Sequence, residues 1–539
     1  MFDEHNELTK SFRMARERFQ ESELQPVRLR LIGTRAKDGR QFNLPTSSEV
    51  AALIVGTSDD EKGNRDVIIE HRMYGLKRIS ELHPSFMAMQ YPLLFPYGED
   101  GYRTDIPHAD VDETTRARTI VTQREYYAFR FQQRRHESKT RFQLGRLNQQ
   151  FEVDAFTCVQ ESRLEWVRTN KSTIRKEVLW GLADAVSWGD TTPASVGQRI
   201  VLPSSFTGSP QFMIQNYHDV VEICRWAGPP DIIVTFICNP KWQEILEFLS
   251  IIPGQRPEDR PDIIARVFKI KLDELMLDLT KKGYFGVTKA AIYTIEFQKR
   301  GLPHAHILLF LREEDKPRTT EDIDRLICAE LPDPEIDQIA FASVLQHMTH
   351  GPCGPINHNS PCMQDGQCTK YYPKPFTNDT TVGKDGYPNY RRRDNGRTAI
   401  KNGNVVDNSF IVPYNVDLLV KYQAHINVEL CNKYNCEKYL FKYMNKGPDM
   451  ALTSVQQTNI DGNPQAAPII VEIQSYLKCR YVSAAEVCWR MFKFPVQYKY
   501  PPVDRLSYHL QDQQTVVFQD HKPLDGVLER VGEARTKFT

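Results

Sequence analysis

Along the 539 residues the spacing of apolar and polar positions changes character several times. Residues 1–115 mix short strand-like runs such as Val50 to Val55 with loops, and close on the aromatic, proline-rich stretch Tyr91 to Gly98. From Arg116 to Leu182 polar and apolar positions mix over long stretches with few breakers, as in Phe142 to Phe151, which predicts a mainly helical segment over 116–219. Asp231 to Cys238 is β-branched and nearly all apolar, so it reads as a buried central strand ending at Asn239-Pro240. Pro261 to Lys282 reads as an amphipathic helix that begins at a proline and stops before Gly283. Ala290 to Gln298 and His304 to Leu311 read as strands joined by the loop Lys299 to Pro303. Together these predict an α+β domain over 220–450, a sheet with helices packed on it, followed by a C-terminal extension over 451–539.

Bulk properties narrow this picture only a little. The length predicts two or three domains. Lys+Arg and Asp+Glu both total 69, and a balanced chain can still concentrate positive charge on one face. No apolar stretch is long enough to span a bilayer, and Met1 to Asn6 lack a secretory pattern, so neither a membrane role nor export is expected. The 11 cysteines suit reduced thiols or metal ligands better than a disulfide framework. Arg124, Arg130, Arg134, Arg135, Lys139, Arg141 and Arg146 are interleaved with Tyr126, Tyr127, Phe129 and Phe131. A solvated helix face with an aromatic underside accounts for them, as does a DNA-contacting surface, and the former is favoured.

The chemistry-bearing positions are more specific. On a strand, His304 and His306 leave the same face while Ala305 and Ile307 turn to the core. A hairpin closed by a five-residue loop without a bulge would set Gln298 opposite His304 and Glu296 opposite His306, with all four on one face. The other face, with Tyr293, Ile295, Phe297, Ile307, Leu309 and Leu311, suits the core. Glu296 is then a candidate third ligand and Gln298 a weaker one. Two imidazoles and an oxygen leave positions open for a phosphate oxygen, which suits Mg²⁺ or Mn²⁺. Two half-buried strand histidines would give the same pattern.

Farther on, Asn435 can cap a helix that carries Glu437 in its first turn and stops at Gly447-Pro448. Tyr439 and Tyr443 share one stripe of that helix, and Lys442 and Lys446 an adjacent one. Rings packed on the sheet are the ordinary explanation of such a pair. The chemical alternative is a pair of nucleophiles, whose hydroxyls (unperturbed pKa about 10) need nearby cations to act on phosphorus. Between residues 347 and 368, Cys353, Cys362 and Cys368 with one histidine, His350 among several, form a candidate structural Zn²⁺ knuckle, with free cysteines in a compact loop as the alternative. Tyr390 to Arg397 reads either as a phosphate contact or as a solvated basic turn.

Several runs in one order resemble the replication-initiator-like nuclease portion of Helitron transposases, the rolling-circle transposons. They include Ser80 to Met87, Leu202 to Pro210, Thr235 to Trp242, Glu296 to His306, His350 to Gly354 and Tyr439 to Lys446. The resemblance implies a histidine-apolar-histidine (HUH) endonuclease fold, an antiparallel sheet flanked by helices, using Mg²⁺ or Mn²⁺. It implies His304 and His306 as metal ligands, Tyr439 and Tyr443 as nucleophiles with Lys442 assisting, and a first motif at Thr235 to Asn239 that positions single-stranded DNA. Lys446 is assigned to DNA binding beside them. Nuclear residence follows from the same resemblance.

The resulting expectation is a single-stranded DNA endonuclease and strand transferase that passes through a 5′-phosphotyrosine. No phosphate-binding Gly-x-x-x-x-Gly-Lys-Ser/Thr run exists in the sequence, so no ATPase is expected and a helicase would come from another chain. The rivals are a catalytically inactive DNA-binding remnant of a transposon and a metal-dependent hydrolase that uses water.

Overall fold

A computed structural model describes residues 2–6, 9–10, 13, 29–30, 68–69, 82–109, 118–170, 174–187, 198–199, 202–297, 302–383, 386–431, 482–504, 515–519 and 524–531. The chain divides into two compact units, Met1–Glu165 and Trp166–Thr539. Among the described residues it is a mixture of helices and antiparallel sheets.

The first unit carries the short helix α1 (Phe86–Gln90), α2 (Gln123–Arg130) and the start of α3 (Arg146–Asn170). Thr122 and Glu125 close a reciprocal capping box at the start of α2, satisfying two of the N–H groups a helix leaves unpaired there. The core here is aromatic, with Tyr91, Phe95, Tyr127 and Phe131 packed edge-on around Phe151. Three arginines of this stretch lie over aromatic rings. Arg134 lies over Phe129 and pairs with Glu137, Arg141 lies over Phe142, and Arg130 over Phe95.

In the second unit, β1 (Ile174–Val178), β2 (Gln198–Arg199) and the later β8 (Thr515–Gln519) form a three-stranded sheet with order β8-β1-β2. Leu182 of α4 (Leu179–Ser187) joins Val516, Phe518 and, from α10 (Leu524–Val531), Leu524 and Val527 in a small core. The strand at 174–178 interrupts the stretch expected to be mainly helical, because Ile174 to Val178 is held from both sides by sheet neighbours.

The larger sheet has five antiparallel strands in the order β6-β3-β5-β4-β7, namely Ile426–Leu430, Ile232–Ile237, Pro303–Leu311, Thr288–Phe297 and Gln497–Tyr500. Four strands come from the stretch 220–450 and the edge strand β7 from beyond it. Helices cover both faces. On one, Phe236 stacks on Phe268 of α7 (Pro261–Thr280) at 5.3 Å, and Phe268 meets Trp489 of α9 (Ala484–Met491). The opposite face presents Ile233, Ala290, Ile292, Leu308 and Phe310 to Val220, Ile223 and Ala227 of α5 (Pro210–Ala227). Two-sided cover explains why β5 is buried along its whole length and is unbroken apolar sequence from Ile307 to Leu311. Helices α6 (Gln243–Ser250) and α8 (Val416–Tyr422) border the first face, where Trp242 donates its ring N–H to the carbonyl of Tyr422 at 2.7 Å.

Candidate active site

The functional face is fixed by strand register. Across β6, β3, β5 and β4, one row of paired positions reads Asn427, Thr235, His306, Thr294, and the next reads His425, Ile237, His304, Glu296. The second row reaches His425 through the Ile237 N–H, which donates to its carbonyl at 3.0 Å. Paired positions in antiparallel strands share a face, so these polar groups gather on the side that α5 covers, at the end away from its apolar cluster.

This register differs by two residues from the expected one. Glu296, not Gln298, is opposite His304, and Thr294, not Glu296, is opposite His306. The strands end at Phe297 and Pro303, leaving 298–302 as the connection rather than 299–303. A shift of two preserves the face. The Glu296 Oε2 therefore lies 3.3 Å from His304 Nε2 and 3.6 Å from His306 Nε2. Gln298 lies outside the described residues.

Glu296, His304 and His306 thus present donor atoms within 4.8 Å of one another, and the two rings sit nearly perpendicular at 5.1 Å. Both histidines are buried, 6% and 5% exposed. His304 Nδ1 is buried with no hydrogen-bond partner among the described residues. Two imidazoles and a carboxylate around a common point, with one ring nitrogen unsatisfied, match the donor set of a divalent metal site. Thr235 Oγ1 shares a hydrogen bond of 3.2 Å with His306 Nδ1, so the threonine orients that ring from behind. Asn239 donates to the carbonyl of Gln423 at 2.6 Å and accepts from the Lys241 N–H, which ties the end of β3 to the end of α8. Both side chains, assigned to DNA from the sequence, are bonded to protein groups here. Tyr439, Lys442, Tyr443 and Lys446 lie outside the described residues.

A second cluster gathers His350, Cys353, Cys362 and Cys368, again with donor atoms within 4.8 Å of one another. A two-residue hairpin carries two of the thiols. Met363–Gln364 pairs with Gln367–Cys368, and Asp365 and Gly366 both take positive φ, as a tight primed turn requires. Cys362 precedes the first strand and Cys368 ends the second. Gly351 is demanded by geometry, since its φ is +79° and a Cβ there would stand 2.7 Å from the Cys353 nitrogen. His350 stacks on Tyr372 at 4.2 Å and lies 3.3 Å from the Cys368 sulfur. Burial, reinforced by the two neighbouring thiols, pushes the Cys353 thiol up to about 12. Burial also acts upward on Cys368, but N–H donors from Tyr372 and Lys370 outweigh it and hold that thiol below its ordinary value. Burial, with lysine charges nearby, lowers the His350 pKa from its ordinary value.

In the basic run at 390–397, where residues 393–396 are exposed, the arginines are paired within the protein. Arg393 grips Glu330 through both carboxylate oxygens, Arg391 pairs with Asp324 and Arg397 with Asp333, and the buried Arg392 donates to the carbonyl of Ile411.

Sequence reasoning missed His425 and Asn427. The signal was present, because His425, Asn427 and Glu429 alternate with Ile426, Val428 and Leu430.

Among the described residues no helix is long and apolar enough to cross a membrane. No curated protein matches the chain. Residues 126–309 match the family model described as a Helitron helicase-like domain at the N-terminus, a span that holds Thr235, Glu296, His304 and His306. This chain therefore contains a Helitron-related domain, and the three converging donors of the larger sheet lie inside it.

Proposed function

We propose that the protein is a metal-dependent, single-stranded DNA endonuclease and strand transferase of a rolling-circle, Helitron-type transposon. The observation that carries this reading is the convergence of Glu296, His304 and His306 on one point of a sheet face within the Helitron-related span.

Bound there, Mg²⁺ or Mn²⁺ supplies Lewis acidity to a phosphodiester oxygen. The chain's own groups do the rest. Thr235 Oγ1 would accept a hydrogen bond from an Nδ1–H of His306, leaving the Nε2 lone pair as the ligand atom. The hydroxyl of Tyr439 or Tyr443 attacks phosphorus. An O–P bond to tyrosine forms, the bond to the 3′ oxygen breaks, and the products are a 5′-phosphotyrosine and a free 3′-hydroxyl. Lys442 offsets charge beside the nucleophiles, and Lys446 meets the DNA backbone. The second tyrosine accepts another strand end without release of the DNA. Nuclear residence, and a helicase supplied by another chain, belong to the same reading.

His350, Cys353, Cys362 and Cys368 are read as a structural Zn²⁺ site, since three sulfurs and one imidazole make a complete tetrahedral set.

The test is incubation with an end-labelled single-stranded oligonucleotide and Mn²⁺. A protein band carrying label through SDS, mapped by peptide sequencing to Tyr439 or Tyr443, is the expected result. Binding without such an adduct would instead identify a non-catalytic DNA-binding remnant. Cleavage that survives the double change Tyr439→Phe and Tyr443→Phe would identify a hydrolase using water.

A further inference from the structure

The row that holds Glu296 and His304 does not end at β3. It continues through Ile237 to His425, two strands from His304 and on the same face. Two strand spacings set their Cα atoms about 10 Å apart, a gap that a phosphodiester and an attacking oxygen can fill.

His425 is held in a defined way. Its Nδ1 stands 2.8 Å from the carbonyl oxygen of His347, an atom that can only accept, so Nδ1 carries a proton and donates it. In the neutral ring the lone pair is therefore on Nε2, which makes no hydrogen bond to the described residues. The carbonyl is itself fixed. His347 sits in a π-helical turn, Val344–Met348, and Lys401 Nζ donates to the carbonyls of Leu345, Gln346 and Thr349 around it. Burial, only partly offset by the hydrogen bond to His347 and reinforced by nearby Lys401, lowers the His425 pKa from its ordinary value.

Other titratable groups of these rows are committed elsewhere. Glu296, His304 and His306 converge on one another. One row farther along, Glu429 accepts from Asn427, while Lys499 of β7 is held by Asn216 and Asp219.

The geometry points to His425 as the proton acceptor for the hydroxyl that attacks the scissile phosphate, a catalytic residue of the face that also carries the Glu296, His304 and His306 cluster. This rests on the nuclease reading above. In the step, the hydroxyl proton passes to His425 Nε2 as the new O–P bond forms and the P–O3′ bond breaks. The 3′ oxygen, leaving from the opposite side of phosphorus, takes a proton from water to give a free 3′-hydroxyl, and the imidazolium releases its proton to water to restore the neutral ring.

The experiment compares the full chain with His425→Gly and His425→Gln for Mn²⁺ affinity, oligonucleotide binding and the rate of adduct formation. Expected is a rate loss of about 10²- to 10⁴-fold with both affinities kept. Small unhindered imidazoles added to His425→Gly should restore the rate in the order of their basicity. A substrate with a 3′-bridging sulfur, whose leaving group needs no proton, should leave the variants slow. His425→Gln carries the rate comparison if the glycine variant does not fold. Wild-type rates in the variants, rescue indifferent to basicity, or recovery on the sulfur substrate each overturn the proton-acceptor role alone. Failure of the unaltered chain to form any adduct overturns the nuclease reading and this inference together.

Discussion

The two donor clusters of the second unit are built on opposite plans. Glu296, His304 and His306 come from two strands of a sheet covered on both faces, and their convergence is set by pairing of β4 with β5. His350, Cys353, Cys362 and Cys368 come from loops and a hairpin with a two-residue turn, and their convergence is set by turns at Gly351 and at Asp365-Gly366. The first offers three donors, including a carboxylate, and so leaves room for a substrate oxygen. The second offers four donors rich in sulfur and leaves none. On the proposed reading, the site that exchanges ligands sits on strands, whereas the site that only holds an ion sits on loops that the bound ion itself would rigidify.

This contrast can be broken most sharply at the histidines. The double change His304→Ala and His306→Ala should abolish both Mn²⁺ binding and the DNA adduct, a fall of at least about 10³-fold in rate, while zinc content by elemental analysis stays at that of the unaltered chain. Loss of zinc along with manganese would show that the clusters are not separate. The reciprocal change, Cys368→Ser, should reduce zinc to background and lower the melting temperature by several degrees, because metal binding at such a site is folding free energy. Thermal unfolding unchanged by that substitution would put the four groups down as ordinary packing.

Smaller effects sharpen the comparison within each site. Thr235→Val removes the partner of His306 Nδ1 and should weaken Mn²⁺ binding about 10- to 100-fold, measured by titration, with little change in unfolding. An unchanged affinity would mean that packing alone orients the ring. At the loop site, Tyr372→Leu removes the ring stacked on His350 and should speed zinc release to a chelator only a few-fold, since the three sulfurs remain.

What could be read in advance follows from the same contrast. The strand at 232–237, the helix at 261–280 and the two strands carrying Glu296 and the histidines show in the alternation and run lengths of apolar residues, because burial imposes those periods. The hairpin register was not legible. It depends on where pairing stops at the 297 and 303 ends, and a shift of two leaves the hydrophobic pattern unchanged. The sulfur cluster showed as a local density of cysteine and histidine. His350, named from the sequence with the three thiols, is the histidine that joins them, although the tight turn at Gly351 that brings it there is not encoded by spacing alone. His425 was hidden for another reason: its place beside His304 comes from β3 lying between them, and no local pattern reports a neighbour two strands away.

The π-helical turn at Val344–Met348 runs directly into Thr349 and His350. One short piece of backbone thus serves both assemblies, offering the His347 carbonyl to His425 and, three residues on, the His350 ring to the sulfurs. An insertion or deletion of a single residue in that link would move carbonyl and ring together. Its chain length, more than the identity of its side chains, is the quantity that mutation can least alter there.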